Sequence, residues 1–135
     1  MSFEIQNKIS LDMKRFNITK IEGGASQKIF YRLKNKKESY IITNFNSDKK
    51  EYINYLKVYE ILNKINISIP KLFEQNDEDL ITISEDLGSL RYDTIFHKVS
   101  IKNLLKYAVD TLLIMNRSLI FQKSLNLSKY TFKNF

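Results

Sequence analysis

Two adjacent glycines, Gly23 and Gly24, constrain this chain more than any other feature, because it has only one further glycine, Gly88. They lie in the run Glu22-Gly23-Gly24-Ala25-Ser26-Gln27-Lys28-Ile29-Phe30-Tyr31-Arg32-Leu33, between two apolar stretches. Glycine takes positive φ at little steric cost, so the pair predicts a tight turn joining two strands. Residues 16–22, with Ile18 and Ile21, and residues 26–34, with Ile29, Phe30, Tyr31 and Leu33, read as those strands. Asn35-Lys36-Lys37 is a polar turn, and residues 38–45, centred on Tyr40-Ile41-Ile42, read as a third strand. Three strands joined by short turns make an antiparallel meander.

Beyond the meander the period changes. Asp48, with Glu51 three residues on, fits a capping box, in which each residue's side chain bonds the other's backbone N–H. Tyr52, Tyr55, Leu56, Tyr59 and Leu62 then recur at helical spacing, which predicts a helix ending near Ile65, before Pro70. Residues 71–75 and 80–84 read as two short strands around the turn Asn76-Asp77-Glu78-Asp79. After Gly88 a short helix is expected over 91–97, then a long one capped by Ser100 and running to about Lys123. Leu104, Leu105, Ala108, Val109, Leu112, Leu113, Leu119 and Ile120 would form its buried face. Residues 2–15, with Phe3, Ile5, Ile9, Leu11 and Met13, read as a short amphipathic helix, and residues 124–135 have no clear period. The expected fold class is α+β: a five-stranded antiparallel sheet with one packed helix, followed by a helical segment. The boundary falls at 86–90, giving regions 1–88 and 89–135.

Composition narrows the chemistry. At 135 residues, 43% hydrophobic, the chain has material for a packed core. It has no cysteine, so disulfides and thiolate metal sites are excluded, and one histidine, His97, leaves little for zinc; no metal site is expected. No apolar run approaches the ~20 residues that span a bilayer, and Glu4, Asn7 and Lys8 interrupt any signal-peptide core. The expected location is cytoplasmic, with no membrane partner. The net charge is +7, yet 18 of the 22 basic residues are lysine, scattered along the chain. Nucleic-acid faces usually cluster their charge and use arginine. No nucleic-acid partner is therefore expected, although an anionic ligand drawn by charge remains open.

Several residues have two readings. Gly23, Gly24, Ala25 and Ser26 are four small residues in a row, suited to wrapping phosphates with bare backbone N–H groups. They suit a plain hairpin turn equally well, and match neither the Walker pattern nor G-x-G-x-x-G. Glu51 is either the second half of a capping box or a helix carboxylate that pairs a phosphate-holding lysine. Glu85 and Asp86 are either solvated turn acids or part of a segment offering its backbone to an adenine edge. The Tyr52, Tyr55 and Tyr59 stripe reads as core, because base-stacking platforms usually sit on sheets.

Taken in order, these motifs resemble the aminoglycoside phosphotransferase-like kinases, over roughly residues 15–125. The closest resemblance is to the bacterial branch that phosphorylates the anomeric position of N-acetylmuramate and N-acetylglucosamine. That branch carries a G-D-A-S-x-R-x-Y-x-R-like run; Gly23, Ala25, Ser26 and Arg32 match it, Lys28 is a conservative match, and Gly24 replaces the acid. Ile67-Ser68-Ile69-Pro70 is similar to the family's entry into the fourth strand. Ile83-Ser84-Glu85-Asp86-Leu87-Gly88 is similar to its L-L-x-E-D-L-G hinge, with Tyr92 at the aromatic position that follows. Two departures stand out. Thr43 occupies the third-strand position of a kinase's phosphate-binding lysine, for which Lys28 and Lys49 are the candidate substitutes. The chain also contains no H-x-D catalytic loop, since His97 is followed by Lys98-Val99.

The resemblance implies a protein-kinase-like small lobe followed by the first helices of an incomplete large lobe. It implies the N-terminal part of an ATP-dependent phosphotransferase acting on an amino sugar or related small molecule, with Mg²⁺ in the full-length enzyme. Gly23, Gly24, Ala25, Ser26 and Lys28 would hold the nucleotide phosphates, Glu51 would be the helix carboxylate, and Glu85, Asp86 and Leu87 would line the hinge. No catalytic residue is expected on this chain. Two alternatives stay open: a non-catalytic nucleotide- or partner-binding module, and a small basic nucleic-acid binder, which the scattered lysines oppose.

Overall fold

A computed structural model describes residues 8–22, 27–90, 97 and 100–118. The five strands are β1 (Asn17–Ile21), β2 (Ile29–Lys34), β3 (Ser39–Asn44), β4 (Leu72–Asn76) and β5 (Ile81–Glu85); the helices are α1 (Lys49–Lys64) and α2 (Ile101–Arg117). The strands form one antiparallel sheet in the order β1-β2-β3-β5-β4. The meander is therefore followed by a helix and a hairpin whose second strand lies beside β3. The chain divides into two compact units, residues 1–55 with 70–89 and residues 56–69 with 90–135. The first contains all five strands.

Strand register assigns each residue to a face, because successive side chains alternate. Leu33, Ile42, Ile81 and Ile83 form one core cluster with Ile9 and Met13, and Leu11, Phe16, Ile18, Tyr31 and Tyr40 pack against it. This face is covered by the N-terminal segment. Ile9, Leu11 and Met13 are spaced two apart, the period of extended chain, and among residues 8–16 the only helical element is a 3-10 turn at Met13–Arg15. The amphipathic helix expected over 2–15 is thus corrected for its described part. Asp12 accepts a bond from the Lys14 N–H, which opens that turn, while Ser10 N–H donates to Glu74 (2.8 Å) and Lys8 pairs with Asp79 (2.7 Å). The opposite face buries Thr43, Thr82 and Ser84, with Thr43 in register between Phe30 and Thr82.

The start of α1 follows the sequence in part. Asp48 accepts from Glu51 N–H at 2.9 Å, but the Asp48 N–H donates to the Phe45 carbonyl and the Glu51 carboxylate turns elsewhere, so only half of the expected capping box forms. Buried Tyr52 and half-buried Tyr55 both contact the fully buried Phe45 ring. The helix ends with Asn66 at φ 56°, where Asn66 N–H bonds Asn63 C=O and Ile67 N–H bonds Leu62 C=O. That pairing is a Schellman motif with asparagine in the left-handed position.

Two expectations for α2 are corrected. Its Ser100 makes no side-chain cap, and the helix stops at Arg117 rather than near Lys123, with Ser118 extended. None of its residues is buried; Leu105 is 60% and Leu112 62% exposed. Helical periodicity reports that an apolar stripe exists, not that anything covers it. The glycine turn at 23–26, the helix expected over 91–97 (His97 apart), Tyr92, Leu119, Ile120 and the tail lie outside the described residues.

Candidate functional site

The most informative long-range contact in the sheet unit joins Lys28 and Glu51. Ile29 pairs with Asn44 across β2 and β3, so the start of β2 lies beside the end of β3. The turn at Asn46 and Ser47, both at positive φ, then leads into α1. Lys28 precedes β2 and Glu51 occupies the first turn of α1, and these two ends meet: Lys28 Nζ lies 2.5 Å from Glu51 Oε1. The side chains are 22% and 34% exposed, so the pair is shielded yet still reachable from solvent. Lys28 Nζ also sits 5.8 Å from the centroid of the Phe45 ring, an arrangement that favours a cation. The helix N-terminus favours the carboxylate in turn. The result is a fixed ammonium at the end of the sheet where the β1–β2 connection emerges.

The other residues singled out in the sequence fall as follows. Thr43 is buried in β3 and offers no charge. Lys49 is exposed and lines a separate groove with Lys8, Asn46, Asp77 and Glu78. Glu85 bonds to Lys71, the residue before β4: its N–H donates to the Lys71 carbonyl at 2.8 Å and its carboxylate accepts from Lys71 N–H at 3.1 Å. Leu87 is 68% exposed.

Asp86 is the centre of a polar latch that includes residues the sequence reading gave no role. Arg32 of β2 donates through its terminal nitrogen to Asp86 Oδ1 and to the Gly88 carbonyl, both at 3.0 Å. Its Nε approaches Oδ2 at 2.8 Å as an ion pair, without an aligned N–H···O bond. The Ser39 hydroxyl and the Gly88 N–H also donate to the carboxylate. Burial alone would raise the Asp86 pKa. The bonds from Ser39, Gly88 and Arg32, with the Arg32 charge, outweigh it and hold the carboxyl below its ordinary value. The latch fixes the chain as it leaves β5, and Gly88, at φ 84°, completes the turn. Arg32 was visible in the sequence only as a match to a family run, and Ser39 carried no signal.

No family model, curated protein or solved structure matches this chain. Among the described residues, no group of three or more His, Cys, Asp and Glu side chains is placed to hold a metal ion, and no helix is long and apolar enough to cross a membrane.

Proposed function

We propose that this chain binds the phosphates of a nucleotide, ATP in the first instance, at the end of the sheet marked by Lys28 and Glu51. In this reading it is the small-lobe part of an aminoglycoside phosphotransferase-like kinase. The observation that carries the proposal is the Lys28–Glu51 ion pair. In protein kinases a lysine paired with a carboxylate of the helix after the third strand grips the nucleotide phosphates. Here a helix also follows the third strand, Glu51 of its first turn pairs with an amine, and that amine arrives from the start of β2 instead of from β3, where Thr43 stands. The helix carboxylate orients the ammonium; the ammonium supplies the charge-assisted bonds that a phosphate oxygen accepts. The element order, a meander followed by one helix and a hairpin, supports the same reading. Gly23, Gly24, Ala25 and Ser26 are assigned to the phosphates from sequence alone, and Glu85, Asp86 and Leu87 to the base edge through their backbone.

Binding rather than turnover is the function proposed for these residues, because the single histidine, His97, opens no H-x-D run. An amino sugar or similar small molecule as phosphate acceptor, and Mg²⁺ as companion of the nucleotide, belong to the whole enzyme of this reading. The test is calorimetric titration of the folded chain with Mg²⁺-ATP. Loss of a charged hydrogen-bond donor costs about 1.5–3 kcal/mol, so Lys28→Met is expected to weaken binding by roughly 10- to 100-fold. Lys49→Met, outside the pair, is expected to leave it unchanged. Absence of ATP binding by a cooperatively folded chain, or binding indifferent to Lys28→Met, would overturn the proposal.

A further inference from the structure

A second cationic site lies at the other end of the β1–β2 hairpin. It is a groove of about 490 Å³ lined by Lys14, Arg15, Phe16, Asn17, Thr19, Arg32, Lys34, Asn35 and Lys36. Five of those residues are basic, and none of the described residues lining it is acidic. Three cations of the same unit have carboxylate partners: Lys8 has Asp79, Lys28 has Glu51, and Arg32, within the groove itself, has Asp86. The nearby acids are engaged in other bonds. Asp12 accepts from Lys14 N–H, and Glu38 accepts from the Tyr40 hydroxyl and the Asn35 amide. Lys14, Arg15, Lys34 and Lys36 are exposed, and they gather around one concavity although the two pairs are distant in sequence.

The two walls are held in place before any ligand arrives. Lys34 ends β2 and Lys36 sits in the turn that Asn35 ties down, its side-chain Oδ1 accepting from the N–H groups of Lys37 (2.8 Å) and Glu38 (3.0 Å). Lys14 and Arg15 sit on the 3-10 turn, closed by Phe16 N–H to the Met13 carbonyl at 3.1 Å. Between them the lining carries Asn17, Thr19 and the latched Arg32 beside Phe16. Like charges on a fixed frame repel one another, and a multiply charged anion relieves that cost. The groove is open to solvent, and its volume is within the range that small molecules occupy.

We propose that this groove binds a small molecule carrying two or more adjacent phosphate groups, separately from the Lys28 end of the sheet. Lys34 and Lys36 would hold one side of the oligophosphate and Lys14 and Arg15 the other, while Asn17 and Thr19 bond its remaining oxygens.

The test is calorimetry of the full chain with inorganic tripolyphosphate at low ionic strength. Charge-assisted contacts imply that Lys34→Glu with Lys36→Glu weakens one binding site by at least about tenfold, and Lys14→Gln with Arg15→Gln by at least about threefold. Lys57→Glu with Lys102→Glu makes the same change in net charge at exposed positions elsewhere and is expected to change affinity less than about twofold. Melting curves accompany each variant, and the two groove pairs stand in for one another should either fail to fold. The site is expected to survive Lys28→Met, so failure here and failure of the nucleotide reading are distinguishable. The proposal is overturned by any of four results: no site beyond one that Lys28→Met removes, equal weakening by the control pair, indifference to both groove pairs, or tighter binding of a single-stranded oligonucleotide than of tripolyphosphate through the same lysines. The last result would make the groove a nucleic-acid contact.

Discussion

Individual charges in the sheet unit are stabilised by partners far away in sequence, and their removal has signed consequences. Asp86 is 5% exposed and Arg32 26%. Asp86→Asn removes the charge that Arg32 faces. The expected cost is about 2 kcal/mol by chemical denaturation, less than the ~3–5 kcal/mol of breaking a fully buried pair because Arg32 keeps some contact with water. The pH dependence follows from the lowered Asp86 pKa. A carboxyl whose folded value lies below its unfolded value of about 3.9 contributes fully above that pH and loses its contribution as pH falls through the folded value. The wild-type chain is therefore expected to lose more stability than Asp86→Asn between about pH 4 and the acid limit, measured as melting temperature against pH. Tyr52 has the opposite sign. Burial first, then the bond to Asp77 and its charge, raise the Tyr52 hydroxyl above the ordinary tyrosine value. Its contribution is present below the unfolded pKa of about 10 and is lost as pH rises beyond it. Tyr52→Phe should flatten that alkaline limb in the same melting series.

The elements are held by short-range chemistry at their ends, and two of those ends bear on the proposed nucleotide site. The N-cap bond from Glu51 N–H to Asp48 starts α1 and so positions the carboxylate that meets Lys28. Asp48→Ala is expected to cost about 1 kcal/mol, the usual worth of an N-cap. It should also weaken Mg²⁺-ATP binding in the calorimetric assay, since the carboxylate then sits on a frayed turn. Gly88 closes the exit from β5 at φ 84°, and a Cβ added there meets nothing within 4 Å. Gly88→Ala is therefore expected to destabilise by about 1–2 kcal/mol through the backbone alone. A Gly88→Asn variant, which tolerates that conformation better, should recover part of the loss in denaturant titration.

Across the whole molecule, burial decides which apolar residues matter. Leu33 is fully buried at the centre of the sheet's core cluster, and Leu33→Ala should cost about 2–5 kcal/mol. Leu112 is equally prominent in the apolar periodicity but exposed, and Leu112→Gln should stay within about 0.5 kcal/mol, both read by denaturant unfolding. Sequence could not show that Leu112 is exposed, because a helical stripe looks the same covered or bare. For a related reason the segment before β1 was misread: Ile9, Leu11 and Met13 support an extended path along the sheet as well as one side of a helix, and only the sheet face they cover decides between them. Sequence by itself determined the order of the five strands and α1, the turns at Asn35 and Asn76 and the α1 start at Asp48. Each depends on neighbours a few residues apart, where alternation and capping act directly. Tertiary structure alone decided that Lys28, and not Lys49, meets Glu51, that Arg32 and Ser39 converge on Asp86, and that Lys14 and Arg15 share one groove with Lys34 and Lys36. Those pairings are set by how the sheet, its connections and the helix start come together, which joins positions that no local pattern relates.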